Sequence, residues 1–304
     1  MLLFFMTLCI FNPEHDLCLA NGDRNFVPPS SALDFAVSNA SLMGILYPDA
    51  ICASADDDLQ PLIAEGSVDR IVAWGWDARL KQALLKQGVP PSLLPPDEQL
   101  ERIRDLQHRS TILPLQPHAW RAFSVDEVRQ LLAGERRVVL KAPWSGSGRG
   151  LRWVDGELSD HDTAWIAKTV ASQRCVIVER RLDVVENFAL EFYAVGGNVS
   201  LTGLSLFETQ SGVYRCNILL DDDDIRQRLQ LPASVENAIR QWLRLYVAPR
   251  YEGPVGVDLL KDRSGEFFVS EMNLRYTMGL VAHAFLEAHP ERKGSRWSPT
   301  VNSL

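Results

Sequence analysis

The chain has five cysteines (Cys9, Cys18, Cys52, Cys175 and Cys216), an odd number with no C-x-x-C pair. That excludes a disulfide framework and leaves thiols expected to be reduced and mostly buried, as in a cytoplasmic protein. Positive charge is also short. The net charge of −8 excludes a nucleic-acid partner, although a local basic groove can still receive phosphates. No apolar run reaches membrane length, so no membrane partner is expected. The opening MLLFFMTLCIF lacks a basic leader and runs straight into Asn12-Pro13-Glu14-His15-Asp16, so it reads as a buried first strand rather than a signal peptide. Internal repeats and low-complexity segments are missing, as are G-x-S-x-G and H-E-x-x-H, which removes a serine-elbow hydrolase and a zinc protease.

What remains is a soluble globular composition, 46% hydrophobic and 23% charged over 304 residues, large enough for two or three lobes. The first hundred residues alternate strand and helix signals: strands at Leu2–Phe11, Ala50–Ala53 and Arg70–Trp74, helices at Ser31–Leu46, Asp57–Ala64 and Asp77–Gln87 with Gly88 as the stop. Such alternation predicts a parallel sheet covered on both faces. Ligands of such sheets gather at the carboxyl ends of strands, which marks Asn12–Asp16 and Gly75-Trp76-Asp77 as substrate-side loops. The acids there (Glu14, Asp16, Asp77) and His15 would face a substrate ammonium group.

A proline-rich connector, GVPPSLLPP, leads to a helix at Asp97–His108, a capped helix from Ser124, and a strand at Arg137–Ala142. Lys141 at the end of that strand precedes Ser145-Gly146-Ser147-Gly148-Arg149-Gly150. Closely spaced glycines let backbone amides approach an anion, and a strand-end lysine adds a point charge. The lysine comes before the glycines, so this is not a Walker loop. Leu151–Val154 reads as a strand, which makes the stretch a hairpin flap over phosphates.

Farther on, Cys175–Glu179 is a buried strand followed by Arg180-Arg181-Leu182. Strands at Ala189–Val195 and Val199–Leu206 meet across Gly196-Gly197-Asn198, and Asp221–Asp224 starts a helix. The tail from Glu291 is polar and expected to be loosely ordered. Near the end, Val255–Leu260 and Phe267–Ser270 form a hairpin around a four-residue loop, Asp262–Gly265. That loop would pair Asp258 with Val269 and Gly256 with Glu271. Asp258, Glu271 and Asn273 then share one face, while Val257, Leu259, Phe268 and Met272 take the other. Asp258 and Glu271 would be diagonal neighbours, two carboxylates that with an amide oxygen suit Mg²⁺.

The order of these pieces (Lys141 with its glycine flap, Glu179, then Asp258, Glu271 and Asn273) resembles the ATP-grasp superfamily over about residues 100–287. The resemblance implies an α/β chain, α+β in its C-terminal part: a Rossmann-like N-terminal lobe at residues 1–96, then a two-subdomain ATP-grasp fold at 97–180 and 181–304. It implies ATP and Mg²⁺ as cofactors. Lys141 and Ser145–Gly150 would contact the phosphates. Glu179, Arg180 and Leu182 would meet adenine, and Glu186, or Asn187 beside it, the ribose. Asp258, Glu271 and Asn273 would hold the metal, and Arg275 would steady the transferring group. Arg109 would take the place of an upstream lysine, and Arg215 would join Arg275 on a substrate carboxylate. The implied activity is that of an ADP-forming carboxylate–amine ligase working through an acyl phosphate on an amino acid or small peptide. Alternatives are an ATP-grasp phosphotransferase, a thioester-forming enzyme, or a nucleotide-binding protein without turnover.

Ser145–Gly150 has little apolar surface to bury, so nucleotide is expected to order it. Amide exchange in this stretch should slow on adding Mg-ATP; equal protection with and without it would remove the flap assignment.

Overall fold

The computed structural model describes residues 6–145 and 150–299. The expectations for Gly146, Ser147, Gly148 and Arg149 lie outside the described residues. Three sheets organise the rest.

The first is parallel, with β1 (Met6–Phe11) between β2 (Ile51–Ser54) and β3 (Val68–Ala73). A central parallel strand is covered on both faces, which explains its unbroken apolar run. Cys9 and Phe11 enter one core with Met43 and Trp74, while Leu8 and Ile10 enter the opposite one with Leu80 and Leu84. The helix expected over Ser31–Leu46 is broken into Ser30–Ser38, a 3-10 turn at Ala40–Leu42, and Met43–Leu46. Asn39 interrupts it, turning its side-chain amide back to the Phe35 carbonyl at 2.8 Å. Asp77 caps the Ala78–Lys86 helix, accepting from the Leu80 amide at 2.9 Å.

The second sheet is antiparallel: β4 (Ala119–Ala122), β5 (Arg137–Lys141), β6 (Leu151–Asp155) and β7 (Val176–Arg180), in the order β4-β7-β5-β6. Val138, Leu140, Val176 and Val178 pack against helices Val125–Glu135 and Asp160–Gln173. The Asp97–Leu106 helix does not join this core. Ile103, Leu106 and Ile112 pack with Phe188 of the third sheet and with Trp242 of the helix that covers it.

That third sheet contains β8 (Val184–Val195), β9 (Asn198–Gln210), β10 (Val213–Ile218), β11 (Gly253–Asp262), β12 (Phe267–Asn273) and β13 (Arg296–Trp297), ordered β12-β11-β8-β9-β10-β13. The β8–β9 turn has two glycines at positive φ, Gly196 at 55° and Gly197 at 75°, the geometry a two-residue hairpin turn demands. One face carries helices Asp222–Leu229 and Ala233–Tyr246 over Phe188, Leu190 and Phe192. The other is open at its centre and partly covered by the Met278–Ala288 helix, whose outer side packs into the core of the first sheet.

The tail corrects its expectation. β13 pairs with β10, and Trp297 is buried against Phe285, ring centroids 5.5 Å apart. Burial of the indole in the core with Phe285 outweighs the polarity of the surrounding residues. Among the described residues no helix is long and apolar enough to cross a membrane, and all five cysteines are free.

Trp297→Ala should therefore cost about 3–5 kcal/mol, measured as a lower urea midpoint with unchanged slope. A tail that contributes nothing would leave the midpoint where it was.

Candidate active site

The β11–β12 hairpin brings Asp258, Glu271 and Asn273 to one face, by a different register from the one expected. The loop runs one residue longer because Asp262 caps it: its Oδ1 accepts from the amides of Ser264 (2.9 Å) and Glu266 (3.0 Å). Lys261 therefore pairs with Phe267 and Leu259 with Val269. A bulge at Ser270 then places Asp258 directly opposite Glu271 and Gly256 opposite Asn273. The two carboxylates are not diagonal but side by side, with Cα atoms about 5 Å apart in such a pair. The longer loop also turns Phe268 over. Phe267 and Val269 pack on the core, while Phe268 lies on the site side near His118.

This pairing is electrostatically expensive. Burial, then the charges of Glu271 and Glu191, push the Asp258 carboxyl up to about 8 from its usual 3.8. Asn273 donates to Asp258 Oδ2 at 3.3 Å, and its own Oδ1 is buried with no hydrogen-bond partner. Two juxtaposed carboxylates and an orphaned amide oxygen fit a hard divalent cation. Among the described residues no cluster of three His, Cys, Asp or Glu side chains could form a complete protein cage; the set suits an ion that takes the rest of its ligands from phosphates and water.

Lys141 reaches this hairpin from the second sheet. Its Nζ lies 2.7 Å from Glu179 Oε2 on β7 and donates to Ser270 Oγ at 3.2 Å. Beyond Glu179, Leu182 joins His118, Leu260 and Phe268 in a slot between the two sheets. Arg180 meets this slot by its backbone alone: its amide donates to the His118 carbonyl and its guanidinium grips Glu135 outside. Arg109 sits at the base of the glycine loop. One nitrogen donates to Ala142 O and Ser145 Oγ (2.6 Å each), the other to Ser145 O (3.1 Å) and Glu271 Oε1 (2.6 Å). Gly150 adopts φ 77°, and a Cβ there would come within 2.9 Å of Ser145 Cβ.

Two predicted residues are not brought to the cleft. Glu186 shares the face of Phe188 and Leu190, and it is held by Arg228 at 3.0 Å. Asn187 shares the opposite face, that of Ala189 and Glu191. Arg215 occupies a bulge between Tyr214 and Cys216; it points outward to Gln210, while Tyr214 and Asn217 line the cleft.

The loops of the first sheet meet Arg275 through one residue. Asp16 accepts from Arg275 Nη2 at 2.8 Å and Nε at 3.2 Å. Burial opposes both charges, yet Arg275 and His15 hold Asp16 below its usual range, and Asp16, Glu271 and Asp258 hold Arg275 above its own. Glu14, His15 and Asp77 do not face a ligand. Glu14 pairs with Arg79 at 3.1 Å, and His15 lies 3.1 Å from Asp77, which also caps a helix. These buried groups pair with one another and brace the loop, although Glu14 Oε2 and His15 Nε2 are left without a hydrogen-bond partner among the described residues; of the loop, Pro13 and Asp16 reach the cleft.

The cleft has a volume of about 250 Å³. It runs from Asp258, Glu271 and Arg275 over Ala189, Glu191, Ser205 and Phe207 to Tyr214 and Asn217. Burial pushes the Glu191 carboxyl up to about 7, against hydrogen bonds from Thr277 and Ser205. The sequence reading missed Glu191, though a single acid within Phe188-Ala-Leu-Glu-Phe192 was a signal: period-2 alternation places it beside Ala189, away from the phenylalanines.

No protein-family model matches the sequence, and no curated protein matches it either. Solved structures do. N5-carboxyaminoimidazole synthetase from Staphylococcus aureus complexed with ADP is 13% identical and superposes with a TM-score of 0.54 over 93% of this chain and 77% of that one. D-alanyl-alanine synthetase A from Vibrio cholerae is 13% identical, with a TM-score of 0.54 over 89% of both chains. Biotin carboxylase from Campylobacter jejuni, in a β,γ-ATP complex, is 13% identical, with a TM-score of 0.55 over 92% of this chain and 67% of that one. These are ATP-grasp enzymes, and the chain has the ATP-grasp fold.

The raised Asp258 carboxyl has a measurable consequence without nucleotide. Between about pH 4 and 8 the folded chain binds a proton that the unfolded chain has lost, so stability falls as pH rises through that window. Asp258→Asn removes the penalty. The variant's Tm should exceed the parent's by several degrees at pH 8, the gap closing toward pH 4; a gap independent of pH would show that Asp258 carries no such proton.

Proposed function

We propose that the chain is an ATP-dependent, ADP-forming ligase that joins a carboxylate to an amine through an acyl phosphate. The observation supporting this most directly is the convergence of the Asp258–Glu271 pair and Arg275 on one cleft that continues well past them, with Lys141 tied to the same hairpin at Ser270. A simple nucleotide-binding module needs no such extension. Adenine would enter the slot of Leu182, Leu260 and Phe268, with Glu179 at its edge. The phosphates would lie along Lys141 and the Ser145–Gly150 loop, with Arg109 fixing the loop's base to Glu271.

Asp258, Glu271 and Asn273 would hold Mg²⁺, which when bound supplies charge neutralisation on the phosphates. The protein's own contribution is alignment. Arg275 offers a two-pronged guanidinium that already grips a carboxylate, that of Asp16; the carboxylate of the substrate would use the same donors. Its oxygen attacks the γ-phosphorus as ADP leaves. The amine then attacks the acyl carbon, phosphate departs and the amine gives up a proton. No covalent enzyme residue is needed.

Mixing the protein and Mg-ATP with pools of carboxylates and amines should release ADP and phosphate together only when both partners are present. ADP with a phosphorylated acid and no free phosphate would instead identify a phosphotransferase. With an active pair in hand, Lys141→Ala should weaken nucleotide binding at least about tenfold. Arg275→Ala should leave it within about threefold and lower kcat by about a hundredfold, because it meets charge that grows in the transition state. Equal losses of nucleotide affinity with turnover intact would refute that division.

A further inference from the structure

One strand in from the carboxylate pair, the cleft holds a carboxyl group that the proposed handling of ATP does not use. Glu191 is 0% exposed, and among the described residues no ion pair neutralises it and its Oε2 has no hydrogen-bond partner. Its surroundings are shaped to admit it. A Cβ at Gly279 would lie 2.1 Å from its Oε1, and one at Gly256 3.0 Å from its Oε2. The N-terminus of the Met278–Ala288 helix, capped by Thr277, favours a negative group here.

The hydroxyls around it have already committed their protons. Thr277 Oγ1 donates to Glu191 Oε1 at 2.8 Å and Ser205 Oγ donates to the same oxygen at 3.4 Å. Across the floor, Tyr214 donates to Asn217 Oδ1 at 2.6 Å. A hydroxyl has one proton and two lone pairs, so Ser205 and Tyr214 present acceptors to the cleft. Arg275, the cation bordering the cleft, lies beside the Asp258–Glu271 pair. An N–H group finds several acceptors here, backed by a buried carboxylate that disfavours an anion. Phe35, Phe207 and Met278 make the rest of the wall apolar.

Position fits as well. Asp258 pairs with Ala189, and Ala189 with Ser205, so Ser205 lies two strands, about 10 Å, from the carboxylate pair. A small molecule anchored there places its nitrogen within reach of a group activated beside Arg275.

We propose that Glu191, Ser205 and Tyr214 form the subsite for the nitrogen-supplying substrate, a primary amine carrying a compact apolar group. What the nitrogen does rests on the ligase reading; where it binds does not. Three isosteric probes separate the possibilities by ligand-observed NMR on the full chain, with Mg-ADP affinity measured in parallel: benzylammonium, benzyl alcohol and benzoate. Benzylammonium should bind at least about tenfold tighter than the alcohol, and benzoate should not compete with it. Glu191→Gln should weaken benzylammonium about tenfold and Ser205→Ala about threefold, the latter with Mg-ADP affinity unchanged. Benzoate binding as well as benzylammonium, or full affinity in Glu191→Gln, would overturn the proposal. Should Glu191→Gln fail to fold, Ser205→Ala with a parental Tm decides: unchanged benzylammonium affinity overturns the subsite. Benzylammonium binding without any Mg-ADP binding would remove the ligase reading and leave the subsite standing; the reverse result would do the opposite.

Discussion

Two carboxylates set directly opposite each other on one hairpin are the constraint around which this structure is arranged. Their repulsion in a partly desolvated cleft has to be met by cations or by a proton. The free protein uses both: Arg109 takes Glu271, Arg275 contributes its field, and Asp258 keeps a proton well above the usual carboxylate range. The bulge at Ser270 creates the opposition and is also where Lys141 lands from the second sheet. One backbone irregularity thus sets the spacing of the acids and ties together the two sheets that flank the slot of Leu182, Leu260 and Phe268.

The segment that follows, Asn273 to Thr277, is held from three directions. Gln107 bonds the Met272 carbonyl and the Leu274 amide. The Tyr276 amide donates to Trp74 O of the first sheet, and Thr277 is tied to Glu191 on β8. Each contact comes from a different part of the fold, so Arg275 is positioned by the first lobe, the connector and the third sheet together. Glycines at 256 and 279 allow this closeness, since a side chain at either would collide with Glu191 or Thr277. The connector helix Asp97–Leu106 packs on the third sheet for the same purpose, which brings Gln107 and Arg109 to the site.

Local chemistry was enough to read much of this from the chain. The unbroken apolar run at Leu8–Phe11 reports a central parallel strand, because only such a strand is covered on both faces. Acids at Asp258 and Glu271, with Asn273 two residues on, fall on adjoining strands under any reasonable register. Asp77 and Gly88 bounded their helix by capping chemistry that depends on a few neighbouring atoms.

Other features depend on bulges, face parity and distant packing, which residue identity does not encode. Whether Glu186 or Asn187 turns toward the cleft is decided by which face of β8 meets the helices. Arg215 leaves the cleft because of one extra residue in β10, and Phe268 turns to the slot beside His118 because Asp262 lengthens a loop by one. The acids of Asn12–Asp16 divide between bracing and the cleft according to distant partners, Arg79 for Glu14 and Arg275 for Asp16. The sequence by itself determined the elements and the inventory of charged groups, since these follow from local propensity and spacing. The tertiary structure alone decided which of those groups face one another, because a bulge or a buried partner reverses a side chain's direction without changing its identity.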